Sequence, residues 1–244
     1  MSDDAVSRET PPAPEAATGV FSHALPVAER YAELLATEGV VRGLIGPREV
    51  PRIWERHLLN CALLSGAIPE GADVCDIGSG AGLPGPVLAI VRPDLSITLV
   101  EPLLRRTTFL EEAVAELGLT NVEVLRTRAE ELHGQRDFAV VTSRAVAPLD
   151  RLLDWSMPLV RQGGDLVAMK GSSVREEISG AEKVLRKHGG EDVRVEELGV
   201  DTVPSPTVVV RVRATRPSQL GLVGATRDDQ KRTRTTRSRR RKRR

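Results

Sequence analysis

The chemically informative residues begin with a run of glycines behind an acid: Asp76-Ile77-Gly78-Ser79-Gly80-Ala81-Gly82-Leu83-Pro84-Gly85. Glycine lets a backbone turn sharply and approach a ligand with no Cβ in the way. An apolar run, Ala72–Cys75, leads into this loop, and a second, Ile97–Val100, ends in Glu101. In an open α/β sheet both segments end where ligands bind, and an acid after the second strand is placed to hydrogen-bond a ribose diol. Gly80-x-Gly82-x-x-Gly85 with Glu101 about 20 residues on also fits the dinucleotide fingerprint. Two features weigh against that ligand. The charge of Asp76 opposes a pyrophosphate, and Pro84 and Pro86 remove N–H donors from the helix start that would cradle it. S-adenosylmethionine carries a sulfonium and an ammonium and no phosphate, so a carboxylate beside the loop helps. The loop favours that cofactor, with a nicotinamide dinucleotide as the rival.

Two further groups follow later strands. In Arg128-Ala129-Glu130-Glu131, Glu130 is placed to accept an adenine amino group, with the Ala129 amide beside it. In Thr142-Ser143-Arg144-Ala145, Arg144 at a strand's carboxyl end can hold a methionine carboxylate or a substrate phosphate. Each of these, taken alone, also fits a solvated surface charge. Ser143-Arg144-Ala145-Val146 lacks the Asn/Asp-Pro-Pro-Tyr clamp of sites that methylate exocyclic amines, which suits a ring-nitrogen target.

The elements that position these residues are legible as a change of period. Ala72–Cys75, Ile97–Val100, Val122–Leu125, Phe138–Thr142 and Leu166–Met169 are short apolar runs of the kind that form buried parallel strands. Helical stretches alternate with them at 84–91, 103–117, 148–160 and 174–188. Strands at about 192–198 and 207–213 suggest an antiparallel pair at one edge. The pattern predicts an α/β fold: a mostly parallel, seven-stranded, Rossmann-like sheet covered on both faces. Ahead of it, helices at 26–36, ending at Gly39, and from Pro51 to Gly66 predict a small cap over 21–68, with a loop at 40–49. The methyltransferase-like domain then spans 69–215. Residues 1–20, rich in Pro, Ala and Thr, are expected to be disordered.

Composition narrows the function. The chain has 244 residues and six aromatics, too few for an aromatic platform that stacks single-stranded bases. Two cysteines, Cys61 and Cys75, lie in apolar stretches. That argues against a disulfide framework or structural zinc and for a cytosolic protein. No run approaches a membrane span, so no membrane role is expected. The net charge of +1 conceals an asymmetry: residues 216–244 hold twelve Lys/Arg against two Asp, leaving the body at −9. A basic disordered tail on an acidic body reads as an arm that meets phosphate, or as a solubilising tail.

Five stretches together resemble the bacterial 16S ribosomal RNA guanine-N7 methyltransferases, the glucose-inhibited division protein B family. They are Trp54-Glu55-Arg56-His57-Leu58-Leu59-Asn60, the glycine loop, Arg128-Ala129-Glu130, Ser143 to Leu149, and Ala168-Met169-Lys170-Gly171. In order they cover roughly residues 25–213. The arginine-rich tail looks like that of actinobacterial members. The resemblance implies a class I S-adenosylmethionine-dependent methyltransferase fold, and a cofactor site at Gly78, Leu83, Ala129, Glu130 and Arg144. The loop reading adds Asp76, Ser79, Gly80, Gly82 and Glu101, the last standing where the family usually has Asp.

The implied partner is 16S rRNA within the small ribosomal subunit, and a monomeric protein is expected. Guanine N7 has an exposed lone pair and no proton to lose, so no general base is expected. Substrate-contact candidates are His57, Asn60, Arg144 and Lys170. His57 also shares an apolar helical stripe with Trp54, Leu58 and Cys61, the ordinary setting of a core histidine. Arg42, Arg48, Arg52 and Arg56 form the candidate RNA-facing cluster, and Arg105 and Arg106 can touch phosphate or remain exposed charge. The rival readings are an NAD-dependent oxidoreductase, a non-enzymatic RNA-binding protein, and a methyltransferase acting on another RNA.

Overall fold

The structure, a computed structural model, describes residues 10–171, 173–203 and 205–218. The chain opens with helices α1 (Glu15–Phe21) and α2 (Leu25–Leu34). A π-helical turn, Leu35–Gly39, a 3-10 stretch, Pro47–Arg52, and a second π-helical segment, Ile53–Leu59, lead into the short α3 (Asn60–Leu63). Strand and helix then alternate: β1 (Asp73–Ile77), α4 (Gly85–Val91), β2 (Ser96–Val100), α5 (Leu104–Glu116), β3 (Val122–Leu125), β4 (Phe138–Arg144), α6 (Leu149–Ser156), β5 (Val160–Met169), α7 (Val174–His188), β6 (Gly190–Leu198) and β7 (Thr207–Ala214).

The sheet order is β3-β2-β1-β4-β5-β7-β6. The first five strands pair in parallel, and β7 runs antiparallel to both β5 and β6. Successive connections leave β1 in one direction, to β2 and β3, then return to its other side at β4. The loops after β1 and β4 therefore diverge, opening a crevice at their carboxyl ends.

Side chains alternate across the sheet. Val74, Leu99, Val140, Val167 and Val209 face one layer, built from α1, α2, the 53–67 segment, α4 and α5. Cys75, Ile77, Val141, Leu166, Ala168 and Val210 face the other, built from α6 and α7. Both faces are covered, which is why the strands read as continuous apolar runs. The N-terminal helices share the first of these cores with α4 and α5.

Three expectations fail at the termini and in the cap. Residues 10–20 are ordered: Ala17 and Phe21 are buried, Trp54 Nε1 donates to the Pro11 carbonyl at 2.9 Å, and Phe21 meets Trp54 edge to face at 6.0 Å. Small residues supply these contacts: the Pro11 carbonyl is the acceptor and Ala17 is buried. The cap helix does not stop at Gly39 but runs on to Val41, and part of the expected 40–49 loop is helical. Gly39 has no positive φ, and a Cβ there would meet Ile45 at an ordinary 3.7 Å, so nothing at this glycine forces the helix to stop. The fold also continues past 215. The Arg216 guanidinium bonds the Arg186 carbonyl, and the Ser218 hydroxyl lies 2.6 Å from buried His188 Nδ1. The expectations for residues 1–9 and 219–244 lie outside the described residues.

Candidate functional site

The glycine loop owes its shape to positive backbone angles. Gly78, Gly80 and Gly82 have φ of +67°, +58° and +85°, a region costly for any side chain with a Cβ. The Gly78 N–H donates to the Val100 carbonyl at 2.8 Å, tying the loop to β2. From the cap, the Tyr31 hydroxyl reaches the Ala81 and Gly82 carbonyls at 2.8 and 2.7 Å. A Cβ on Gly82 would collide with that hydroxyl. The loop is thus held from the sheet side and from the cap side.

Asp76 lies beneath the loop, fully buried. Its Oδ2 accepts the Gly85 N–H at 3.0 Å, and its Oδ1 has no hydrogen-bond partner among the described residues. Burial pushes its carboxyl up to about 7, with Gly85 and Ser79 pulling it down and Glu101 pushing it up. Ser79 donates to the Asp76 carbonyl, and the Leu83 N–H to the Ser79 carbonyl. Asp76, Ser79 and Leu83 therefore build the loop from within.

A cavity of about 280 Å³ opens over the loop at the ends of β1, β2 and β3. Of the expected cofactor residues, Gly78, Glu101, Ala129 and Glu130 line it. Glu101 is 1% exposed, and its carboxylate accepts the Gly80 N–H and the Leu103 N–H, both at 3.1 Å. Arg106 reaches the same carboxylate at 3.3 Å, so of the Arg105–Arg106 pair only Arg105 points away as exposed charge. Leu103, Val146 and Trp155 complete the apolar wall. Sequence reasoning missed these three. For Trp155 the available signal was a large aromatic on the helix after the fourth strand.

The donor set suits an adenosine bearing a sulfonium. A fixed carboxylate would suit a ribose diol and an apolar slot a flat base, and a Cβ on Gly78 would press to 3.0 Å of Val146 across the cradle. A pyrophosphate fits poorly. At the start of α4 the Gly85 N–H is already engaged by Asp76, and Pro86 has none.

Arg144 is expected at either the cofactor or the substrate, and in this structure it lines the second of two cavities. Its guanidinium turns away from the Glu101 cavity and into the cap. Nη2 donates to the Arg56 carbonyl at 3.0 Å and lies 2.6 Å from His57 Nδ1, while Nη1 is 3.6 Å from Cys61 Sγ. It lines a second cavity, of about 450 Å³, with Arg56, Asn60, Ala145, Lys170 and Thr207. The cause is the turn after β4: Ala145 has φ +51°, and the chain swings so that Arg144 and Val146 face different cavities.

The other substrate candidates divide. His57 is 7% exposed and does not line the cavity wall; its Nε2 lies 3.2 Å from Glu49 Oε2 without hydrogen-bond alignment. Burial, then the Arg144 guanidinium, pushes its imidazole down to about 4, so it is neutral at pH 7. Lys170 lines the cavity, but its ammonium bonds the Ala147 carbonyl at 2.9 Å and Glu177 at 2.6 Å, bracing the 145–148 turn. Burial pulls Glu177 up, and its bonds to Lys170 and the Leu149 N–H outweigh that, leaving it below the usual carboxylate range. The Asn60 amide, in the orientation that satisfies it, donates to the Glu55 and Ser205 carbonyls. Of the cap arginines, Arg42 pairs with Glu38 and Glu112 and Arg56 with Glu49. Arg48 and Arg52 are exposed, with no ion pair among the described residues.

Strand order and crevice define the class: this is the class I S-adenosylmethionine-dependent methyltransferase fold. A solved structure titled NSun6 from Pyrococcus horikoshii with SFG shares it, at a TM-score of 0.50 and 15% identity, over 65% of this chain and 51% of that one. The family model described as GidB, rRNA small subunit methyltransferase G, matches residues 25–203, and the chain belongs to that family. A relative from Nocardioides sp., named ribosomal RNA small subunit methyltransferase G, is 67% identical over 213 residues, which is 87% of this chain and 85% of that protein. Relatives of the same name from Thermobifida fusca and Streptomyces avermitilis are 55% and 58% identical over 86% and 84% of this chain, covering 89% and 86% of their own lengths.

Proposed function

We propose that the protein transfers the methyl group of S-adenosylmethionine to N7 of a guanine in the 16S rRNA of the small ribosomal subunit, in the cytoplasm. The observation that carries this reading is the buried Glu101 carboxylate, fixed by the Gly80 and Leu103 N–H groups at the mouth of an apolar slot, in a chain whose relatives bear the rRNA methyltransferase name.

Glu101 would hold the ribose diol, Gly78 the cofactor's close approach, and Ala129 and Glu130 the adenine edge, against Leu103 and Val146. The bound cofactor would supply an electrophilic methyl group on a sulfonium. The acceptor needs no deprotonation, since N7 offers its lone pair directly. The protein's part is therefore alignment and exclusion of water, which removes the entropy of a bimolecular encounter. The second cavity, beside the first across Ala145, is where the acceptor nucleotide would sit. A base inside folded rRNA must be turned out to reach it.

The test is methyl transfer from labelled S-adenosylmethionine to small subunits from cells lacking the gene, followed by nucleoside analysis of the RNA. Label in 7-methylguanosine is the expected result. Label in another nucleoside would shift the target, and a chain that binds NAD(H) but not S-adenosylmethionine would overturn the reading.

A further inference from the structure

The Glu101 carboxylate holds more donors than a ribose diol leaves room for. A carboxylate offers about four acceptor positions, two on each oxygen. Oε2 takes the Gly80 N–H at 3.1 Å and Arg106 Nη1 at 3.3 Å, and Oε1 takes the Leu103 N–H at 3.1 Å. One position is left, on Oε1. A diol brings two hydroxyls, so a grip on both requires one of the present donors to go. Gly80 and Leu103 donate from the backbone, and the loop of Gly80 is tied to β2 and to Tyr31. Arg106 donates from a flexible side chain that is 40% exposed, across the longest of the three distances. Arg106 is the donor that yields.

The place it yields to is already basic. Arg105 precedes it in the first turn of α5. Leu125 of β3 pairs with Val100 of β2, so Arg126 leaves the sheet at the same edge, and Arg128 lines the cavity together with Arg106. Arg105, Arg126 and Arg128 are exposed, and their guanidiniums have no ion pair or hydrogen bond among the described residues. The cap differs, since Arg42 and Arg56 are each spent on glutamates. Leu103 and Leu104, 50% and 61% exposed, add apolar surface to the same lip. Once Arg106 is free, four guanidiniums face the carboxylates of Glu130 and Glu131, and Glu131 is engaged by the Thr127 hydroxyl. A cationic rim with apolar patches, on a body that is otherwise acidic, is complementary to a nucleic-acid backbone.

We propose that Arg106 leaves Glu101 when the ribose diol binds, and that its guanidinium then joins Arg105, Arg126 and Arg128 in holding phosphates of the RNA that flanks the acceptor. This rests on the methyl-transfer reading above. Loading adds one phosphate contact, so the loaded protein holds RNA more tightly than the empty one. Linkage makes the effect mutual: bound RNA raises cofactor affinity by the same factor.

The experiment uses the full chain and small subunits from cells lacking the gene. Binding is measured over a range of salt, with and without saturating S-adenosylhomocysteine, which keeps the diol. With it, the dependence of log K on log salt should steepen by about 0.7–0.9, one phosphate contact, and affinity at about 0.1 M salt should rise about 3- to 10-fold. With saturating 2′-deoxy-S-adenosylhomocysteine the slope should stay at its cofactor-free value, because a single ribose hydroxyl fits the open position on Glu101. In Arg106→Met the slopes with and without S-adenosylhomocysteine should coincide. The free variant should bind S-adenosylhomocysteine as well as the native protein or up to about fivefold better, since an exposed ion pair no longer has to break. Arg105→Gln and Arg126→Gln should each flatten the slope by about 0.7–0.9 in both states and keep cofactor affinity within about twofold.

Equal slopes for the native protein with and without S-adenosylhomocysteine overturn the proposal. So does equal steepening by the 2′-deoxy compound. A loss of S-adenosylhomocysteine affinity beyond about fivefold in Arg106→Met would also overturn it, by making Arg106 a brace that stays on Glu101. Slopes that respond to Arg48→Gln and Arg52→Gln but not to Arg105→Gln and Arg126→Gln would move the RNA to the cap. A native protein that binds no S-adenosylhomocysteine at all would instead be a failure of the underlying methyl-transfer reading.

Discussion

Asp76 and Glu101 are both buried carboxylates at the ends of neighbouring strands, and they differ in what each is given to bond. Glu101 receives two backbone N–H groups and an arginine, whereas Asp76 receives one N–H and keeps an oxygen with no partner among the described residues. Replacing Glu101 by Gln removes the charge and turns an amide donor towards N–H donors. Cofactor affinity should fall about 10- to 100-fold, the worth of a hydrogen bond to a charged group. Calorimetric titration checks this, and a change under twofold would remove Glu101 from the site. For Asp76 the readout is pH. Its folded value of about 7 stands above the roughly 3.9 of an unfolded chain. Between those values the folded state holds a proton that the unfolded chain has released, so native stability falls as pH rises through the window. Asp76→Asn cannot titrate. Its melting temperature relative to the native protein should therefore rise from pH 5 to pH 8, equivalent to roughly 1–3 kcal/mol, in scanning calorimetry without cofactor. A constant difference would show that Asp76 is ionised throughout. The place of Glu101 was legible in the sequence because an acid ending a second strand has one geometric meaning in this fold. The direction of Arg144 was not. It depends on the backbone angle of the next residue and on acceptors supplied by a helix more than eighty residues earlier.

At the scale of elements, the cap and the glycine loop meet through Tyr31. Its hydroxyl is the donor for two loop carbonyls and is wholly buried, and burial raises its pKa well above the ordinary tyrosine value, with Cys61 and Asp76 adding to the rise. Tyr31→Phe keeps the ring and leaves two buried acceptors without a donor. Stability should drop by about 1–3 kcal/mol in urea melts. Cofactor affinity should weaken too, because the loop that presents Gly78 loses its cap-side tether. A stable variant with native affinity would mean that the sheet side alone holds the loop. The strands were legible from their apolar runs, and α7 from its helical stripe, which matches the observed Val174–His188. The π-helical and 3-10 segments of the cap were not, since over five to seven residues a change of winding shifts the apolar stripe too little to be read. The ordering of residues 10–20 was hidden because Pro, Ala and Thr carry little hydropathy. The bond from Trp54 to the Pro11 carbonyl and the burial of Ala17 are tertiary effects.

For the whole molecule, the excess of basic charge lies beyond Ser218. Residues 219–244 hold eleven Lys/Arg against two Asp on a protein that is otherwise acidic. Residues up to Ser218 are part of the fold: the Thr215 N–H donates to the Gly189 carbonyl, and Ser218 lies on a histidine that is itself bonded to Asp154 at 2.7 Å. Two truncations should therefore behave differently. A chain ending at Ser218 should melt with the native protein and bind cofactor with native affinity. Its binding to small subunits should show a shallower dependence of log K on log salt, by about 0.7–0.9 for each RNA phosphate that the basic segment neutralises in the full chain. A chain ending at Thr215 should show the same reduced salt slope and also melt about 2–4 °C lower, since it forgoes the buried Ser218–His188 hydrogen bond, worth about 1 kcal/mol, and the exposed bond from Arg216 to the Arg186 carbonyl. An unchanged salt slope in the longer truncation would show that the basic segment serves solubility. Equal melting of the two truncations would show that the His188 hydrogen bond adds no stability, because the cost of ordering the chain to Ser218 then cancels the bond it makes.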